Sequence, residues 1–312
     1  MNTPSKFAGF ALGLAAVFGI AVALGAAIGP TPDAPAGHDT HPPGPAATGG
    51  SSVGQLPGGL LVSDRGYTLQ LDTPQVRPGA DVAVGFRVLD AAGRPVTQYE
   101  RSHDKDLHLI VVRRDMAAFQ HVHPRLDTTG TWRVPLDLSR AGDYRLFADF
   151  TPAGGQNLTL GADLRVPGKY DARTLPSPAD TAVVDGYTVA LDGTVIPGQA
   201  STVTLSVSRN GRPVTDLQPY LGAYGHLVAL RAADLAYLHV HPEGEPGDGS
   251  TPSGPGITFS LTAPTSGDYR LFLDFQHKGT VRTAEFTVRV TQGTPGAEPP
   301  PAQVGEQPGH GH

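Results

Sequence analysis

Two stretches of this sequence set histidines at spacings that suit metal ligation. The first, His108 to Pro124, reads HLIVVRRDMAAFQHVHP, and the second, His226 to Pro242, reads HLVALRAADLAYLHVHP. Each opens with a histidine ahead of an apolar run, breaks near Asp115 or Asp234, and closes on His-Val-His-Pro. His108, His121 and His123 stand 118 residues ahead of His226, His239 and His241, and these six are half of the twelve histidines. On a β-strand alternate side chains share a face, about 7 Å apart. A turn centred on Asp115-Met116 then places residue 108 opposite residue 123, about 5 Å away on the neighbouring strand. Three imidazoles converge on one patch in each copy, the local arrangement of a three-histidine zinc site.

Imidazole suits Zn(II), Cu(II) and Ni(II), so the expected ligands are His108, His121, His123, His226, His239 and His241, and the expected ion is Cu(II) or Zn(II). His103 and His277 are further imidazoles near one copy only, and Asp149 and Asp274 recur as possible ligands or as partners for an imidazole N–H. With an imidazole pKa near 6.5, protons should compete with the metal between about pH 7 and pH 5. A strand histidine also serves commonly as a hydrogen-bonded framework residue, so a purely structural role stands beside the metal role.

Composition narrows the rest. There is no cysteine, which removes disulfides and thiolate ligands, and only two methionines, which removes a Met-rich soft-metal site. A net charge of −6 gives no basic footprint for nucleic acid. No Ser-His-Asp order, paired-carboxylate spacing or phosphate loop stands out, so the chain is not expected to be an enzyme.

Something must hold the histidine stretches in register, and the repeat shows what. Gly66-Tyr67-Thr68 matches Gly186-Tyr187-Thr188, and Gly93-Arg94-Pro95-Val96-Thr97 matches Gly211-Arg212-Pro213-Val214-Thr215. GDYRLFADF from Gly142 matches GDYRLFLDF from Gly267. Each copy yields about seven short strands parted by Gly/Pro turns, the pattern of a two-sheet sandwich. In the first copy these are YTLQLDT, DVAVGFRVLD, DLHLIVVRR, AFQHVHP, TWRVPLDL, DYRLFADF and LTLGADLRV. Tyr144 and Tyr269 are candidate corner or core tyrosines, and Phe119 and Tyr237 candidate packing residues. The expected fold is all-β: two tandem immunoglobulin-like β-sandwich domains at 58–168 and 181–291, joined by a linker at 169–180.

Ahead of them, Phe7 to Gly29 is an uncharged run of 23 residues after Lys6. At about 1.5 Å per helical residue it reaches across a hydrocarbon core of about 30 Å. Residues 1–30 are therefore expected to form a transmembrane helix or signal, with the bulk of the chain extracytoplasmic, or secreted if the segment is cleaved near Ala27. Residues 31–57 and 292–312 are Pro/Gly-rich tails carrying His38, His41, His310 and His312.

HLIVVRRDMAAFQHVHP, GTWRVPLDL, DYRLFADFTP, LHVHPEG and DYRLFLDFQHKG together resemble a family of actinobacterial secreted or membrane-anchored two-domain proteins with HxHP motifs. Its members are mostly uncharacterised and loosely associated with heavy-metal handling. The resemblance covers residues 58–291 and most of the anchor. It implies an extracytoplasmic β protein with a metal role, and the six ligand candidates rest on the geometry above. Three functions compete: an anchored protein that buffers, senses or delivers Cu(II) or Zn(II), a structural or protein-interaction module, and a metal-dependent enzyme.

Overall fold

The structure, a computed structural model, describes residues 56–238 and 240–292. The expected membrane segment, most of the first linker and the histidine-ended tail lie outside the described residues, as does His239. Among the described residues no helix is long and apolar enough to cross a membrane.

The first repeat contains β1 (Ser63–Asp64), β2 (Tyr67–Leu71), β3 (Val82–Leu89), β4 (Tyr99–Glu100) and β5 (Leu107–Arg113). It continues with β6 (Gln120–Val122), β7 (Arg125–Leu126), β8 (Trp132–Leu136), β9 (Gly142–Pro152) and β10 (Leu158–Val166). One sheet runs β1-β2-β3-β8-β7; the other runs β10-β9-β5-β6, with β4 paired to β9. The second repeat contains β11 (Thr181–Val184), β12 (Tyr187–Asp192), β13 (Ala200–Arg209), β14 (Arg212–Pro213) and β15 (Gly225–Arg231). It ends with β16 (Tyr237–Leu238), β17 (Val240–Pro242), β18 (Gly256–Thr262), β19 (Gly267–His277) and β20 (Thr280–Val290). Its sheets run β11-β12-β13-β18-β17, with β14 on β13, and β16-β15-β19-β20.

Within each sandwich alternation does the sorting. Val84, Phe86 and Val88 of β3 face Leu107, Leu109 and Val111 of β5 in one apolar core. Val203, Leu205 and Val207 of β13 do the same against Leu227 and Ala229 of β15. Tyr144 and Tyr269 are buried, and each donates its hydroxyl to a carbonyl four residues upstream, Arg140 and Thr265, at 2.8 Å. That is the tyrosine corner found in immunoglobulin-type sandwiches.

The central strands break the alternation. All seven residues of β5 are buried. Leu107, Leu109 and Val111 fill the first core, while Ile110 and Val112 enter a separate cluster with Val228 and Leu230 of β15, Phe147 of β9 and Phe272 of β19. The two sandwiches thus pack sheet against sheet. Phe119 stacks on Phe272 at 3.9 Å between ring centroids, and Tyr237 lies 5.7 Å from Phe147, two matching contacts across the junction. A strand covered on both faces reads as a continuous apolar run, which is why HLIVV and HLVAL do not alternate.

The turns after these strands feed the same junction. Met116 and Leu235 adopt left-handed backbone, φ 63 and 64, which costs a non-glycine residue about 1–2 kcal/mol. Both side chains are buried in the shared cluster, which offsets that cost. Arg113 and Arg231 brace the two turns through two-pronged bonds to Asp115 and Asp234.

The stretch expected as one strand, AFQHVHP, forms only the three-residue β6, and β7 begins just after it. β6 pairs with β5, and after His123-Pro124 the chain crosses to the opposite sheet, where β7 pairs with β8. In the second repeat β16 pairs with β15, and the crossing is complete by Val240, where β17 pairs with β18.

Replacing Phe272 with Ala should cost about 3–5 kcal/mol, the range for a buried Phe→Ala change. In urea, the fluorescence of Trp132, the single tryptophan and part of the first core, should follow far-UV circular dichroism in the parent. In the variant the two signals should separate as the sandwiches unfold apart.

Candidate metal centre

The junction face of β5 carries His108 beside Ile110 and Val112, because residues two apart share a face. In the β5–β6 ladder Ile110 sits opposite His121 and Leu109 opposite Val122, so the next pair in that register is His108 with His123. The expected hairpin register is the one observed. Compact packing brings the rings closer than an ideal strand would, with His121 and His123 4.9 Å apart between centroids.

The three imidazoles meet at their nitrogens. His108 Nδ1 lies 3.1 Å from His121 Nε2 and 3.2 Å from His123 Nε2. Their ligand atoms form the one compact group of three or more potential metal ligands among the described residues. Bonds of about 2.0–2.1 Å to a tetrahedral ion put ligand nitrogens about 3.3–3.4 Å apart, and ring centroids about 5 Å apart. The centroid separations are 5.4, 5.0 and 4.9 Å, so the pocket fits an ion with little rearrangement.

The outer nitrogens fix which tautomer is present. His108 Nε2 lies 3.0 Å from the Ser102 carbonyl, which only accepts, so Nε2 carries the hydrogen and Nδ1 the lone pair. His121 Nδ1 lies 2.8 Å from Asp274 Oδ2, and the same logic puts its hydrogen on Nδ1 and a lone pair on Nε2. Two lone pairs therefore face each other across 3.1 Å. His123 Nε2, 3.2 Å from His108 Nδ1, can donate an N–H to that nitrogen, but the His121 lone pair still points at the same spot, where a metal ion would satisfy all three rings.

Asp274 comes from the second repeat. It is buried, opposite His226 in the β15–β19 ladder, and its other oxygen accepts from Thr283 at 2.6 Å. Its counterpart Asp149, opposite His108, likewise accepts from a cross-strand threonine, Thr159, but takes Asn157 and Tyr237 in place of an imidazole. The sequence marked both aspartates as partners for an imidazole, but no spacing within one repeat shows that the bond runs between repeats.

His226 is buried at the junction beside the first copy's triad, 6.1 Å from His121 and 6.4 Å from His108 between centroids. Its Nε2 donates to the Tyr220 carbonyl at 2.8 Å, as His108 does to Ser102. Both carbonyls head equivalent tight turns, Ser102–Lys105 and Tyr220–Ala223, with left-handed backbone at His103, Asp104, Leu221 and Gly222. His103 packs 5.1 Å from His226. His241 is exposed, opposite Ser260 on the other sheet, though it lines the same cleft as His108, His121 and His226. His277 is not at this centre: it accepts or donates within a separate Tyr187–His277–Asp216 chain, at 2.7 and 3.0 Å.

Burial, which disfavours the charged imidazole, holds His108 down to about 4, and the Ser102 carbonyl only partly opposes it. His123 is lowered to about 3 and His226 to about 4, again first by burial and then by neighbouring histidines. In the folded protein these groups resist protonation well below the range expected for a free imidazole. The unfolded chain, with ordinary values near 6.5, takes up those protons first. Stability of the metal-free protein should therefore be full above about pH 6.5 and fall as the pH drops towards about 4. Thermal midpoints measured in chelator across that range check the sign.

Residues 62–168 and 182–292 each match the family described as Domain of unknown function (DUF8832). No curated protein matches the chain. Among solved structures, invasin, a bacterial integrin-binding protein, is 16% identical, with 73% of this chain and 39% of that one covered and a TM-score of 0.22. The Escherichia coli adhesin FdeC is also 16% identical, covering 76% of this chain and 66% of its own, at a TM-score of 0.24. Salmonella alpha-2-macroglobulin reacted with methylamine is 14% identical, over 76% and 15%, at a TM-score of 0.26. This chain spans only part of each, and likenesses at these scores carry no argument about its site.

Proposed function

Because the chain belongs to the DUF8832 family and carries its domain twice, and that description names no activity, we propose a function from the site alone. The protein binds one Cu(II) or Zn(II) ion through His108, His121 and His123, and buffers, senses or delivers it outside the membrane that the N-terminal segment engages. The observation that carries this is the pair of lone pairs held face to face by the Ser102 carbonyl and the Asp274 carboxylate. His123 Nε2 can donate to one of the two, His108 Nδ1, whereas a single ion satisfies the nitrogens of all three rings.

Three neutral imidazoles make a borderline donor set suited to these two ions. Met116 is buried in the apolar junction and Cys is absent, so the described residues offer no soft ligand that would favour Cu(I). A second reading, in which the histidines fasten the two sandwiches, is favoured by the His121–Asp274 bond that joins them.

The test uses the full chain with His38, His41, His310 and His312 changed to Ala, so that the tails bind nothing. Elemental analysis after dialysis against Zn(II) or Cu(II) should give one equivalent per chain. His121→Ala with His123→Ala should bind none, since two of three imidazoles are gone. Unchanged stoichiometry and affinity in that double variant would leave the fastening role as the function of these histidines.

A further inference from the structure

Three ligands leave one corner of a tetrahedral ion to be filled. Among the described residues, His103, His226 and His241 line the same cleft and Asp274 bonds to His121, and water from the cleft is a further candidate. Asp274 is committed to His121 through one oxygen and to Thr283 through the other. His241 is exposed on the opposite sheet. His103 has a ring contact with His108 alone among the three, at 6.0 Å. His226 faces two of them, at 6.1 and 6.4 Å, and is buried.

Building on the triad reading above, we propose that His226 Nδ1 is the fourth ligand, so that the ion is held by both repeats and clasps the two sandwiches together. The Tyr220 carbonyl fixes the Nε2 hydrogen of His226 and so leaves the lone pair on Nδ1, the nitrogen by which its counterpart His108 faces the triad. Its ring stands about 1 Å beyond the separation of about 5 Å that a shared tetrahedral ion requires from His121 and His108, and His123 lies on the far side of those two. Ion binding therefore requires the His226 ring to move towards the triad, by rotation of the side chain or closing of the junction. The second repeat then contributes twice, with His226 as ligand and Asp274 as the positioning residue for His121. Ion binding and the contact between sandwiches are linked in both directions: whatever tightens one tightens the other.

Pulsed EPR counts coordinated imidazoles on Cu(II), and competition with a chromophoric chelator gives affinity. Both are run on the full chain with the four tail histidines replaced by Ala and loaded with one equivalent of Cu(II). Four imidazoles are expected in this parent and in its His103→Ala variant. His226→Ala should show three and bind at least tenfold more weakly. Asp274→Asn should keep four but lose about 10–100-fold in affinity, the range for a group that orients a ligand. Three imidazoles in the parent, or a His226→Ala variant within twofold of parental affinity and with an unchanged count, overturns the clasp and leaves the triad standing. A parent that binds no Cu(II), or His121→Ala that binds as tightly as the parent, overturns the triad and the clasp together. Should His226→Ala fail to fold, His226→Asn takes its place, with three imidazoles expected and an unchanged four overturning the clasp.

Discussion

The burial of β5 and β15 on both faces is the constraint on which the rest of the molecule depends. A strand in the middle of a sandwich normally presents one face to the core and the other to water, and polar residues on the second face are solvated. Here the second face of each strand is pressed against the other sandwich, so any polar group on it must find its partner inside. His108 and His226 are such groups. Each has one nitrogen satisfied by the carbonyl of its preceding turn. Their remaining nitrogens are what the junction has to accommodate, and the lowered pKa values of both rings express that environment.

The two repeats share a framework but differ at the centre, and the difference comes from where the chain changes sheets. In the first repeat, β6 keeps to the β5 ladder long enough to bring His121 and His123 to the junction before the chain crosses. In the second, β17 is already paired with β18, and His241 faces Ser260. Among the described residues, duplication therefore supplied a matched pair of apolar faces, Phe119 against Phe272 and Tyr237 against Phe147, and one histidine cluster. The matching aspartates diverge likewise, Asp274 receiving an imidazole and Asp149 an amide and a phenol.

Much of this was legible in the residues. Strand positions followed from alternation and Gly/Pro turns, and the triad of the first copy followed from strand period and a turn at Asp115-Met116. The packing of Phe119 and Tyr237 was also legible, though not their partners. What escaped was everything that depends on one repeat meeting the other: the Asp274–His121 bond, the approach of His226 and the all-round burial of β5. Periodicity within a strand says which face a side chain takes and nothing about what covers that face. One signal was present in HLIVV and HLVAL, whose unbroken apolar character is what a strand covered on both sides requires. The early sheet change at β17 had no comparable signal, because His-Val-His-Pro is identical in both copies.

Electrostatics gives the junction a direction. Asp274 is a buried carboxylate whose partners are a hydroxyl and an imidazole N–H, so the region around His121 favours positive charge. Burial opposes charge on the neighbouring rings of His108, His123 and His226. A cation placed among the nitrogens is thus attracted by one buried anion and meets neutral lone pairs rather than competing protons. Each of those features depends on the sandwiches staying in contact, since separating them returns Asp274 to water and takes it away from His121. An apolar stack of Phe119 on Phe272 sets that contact, which ties the polar chemistry of the centre to packing a few residues away.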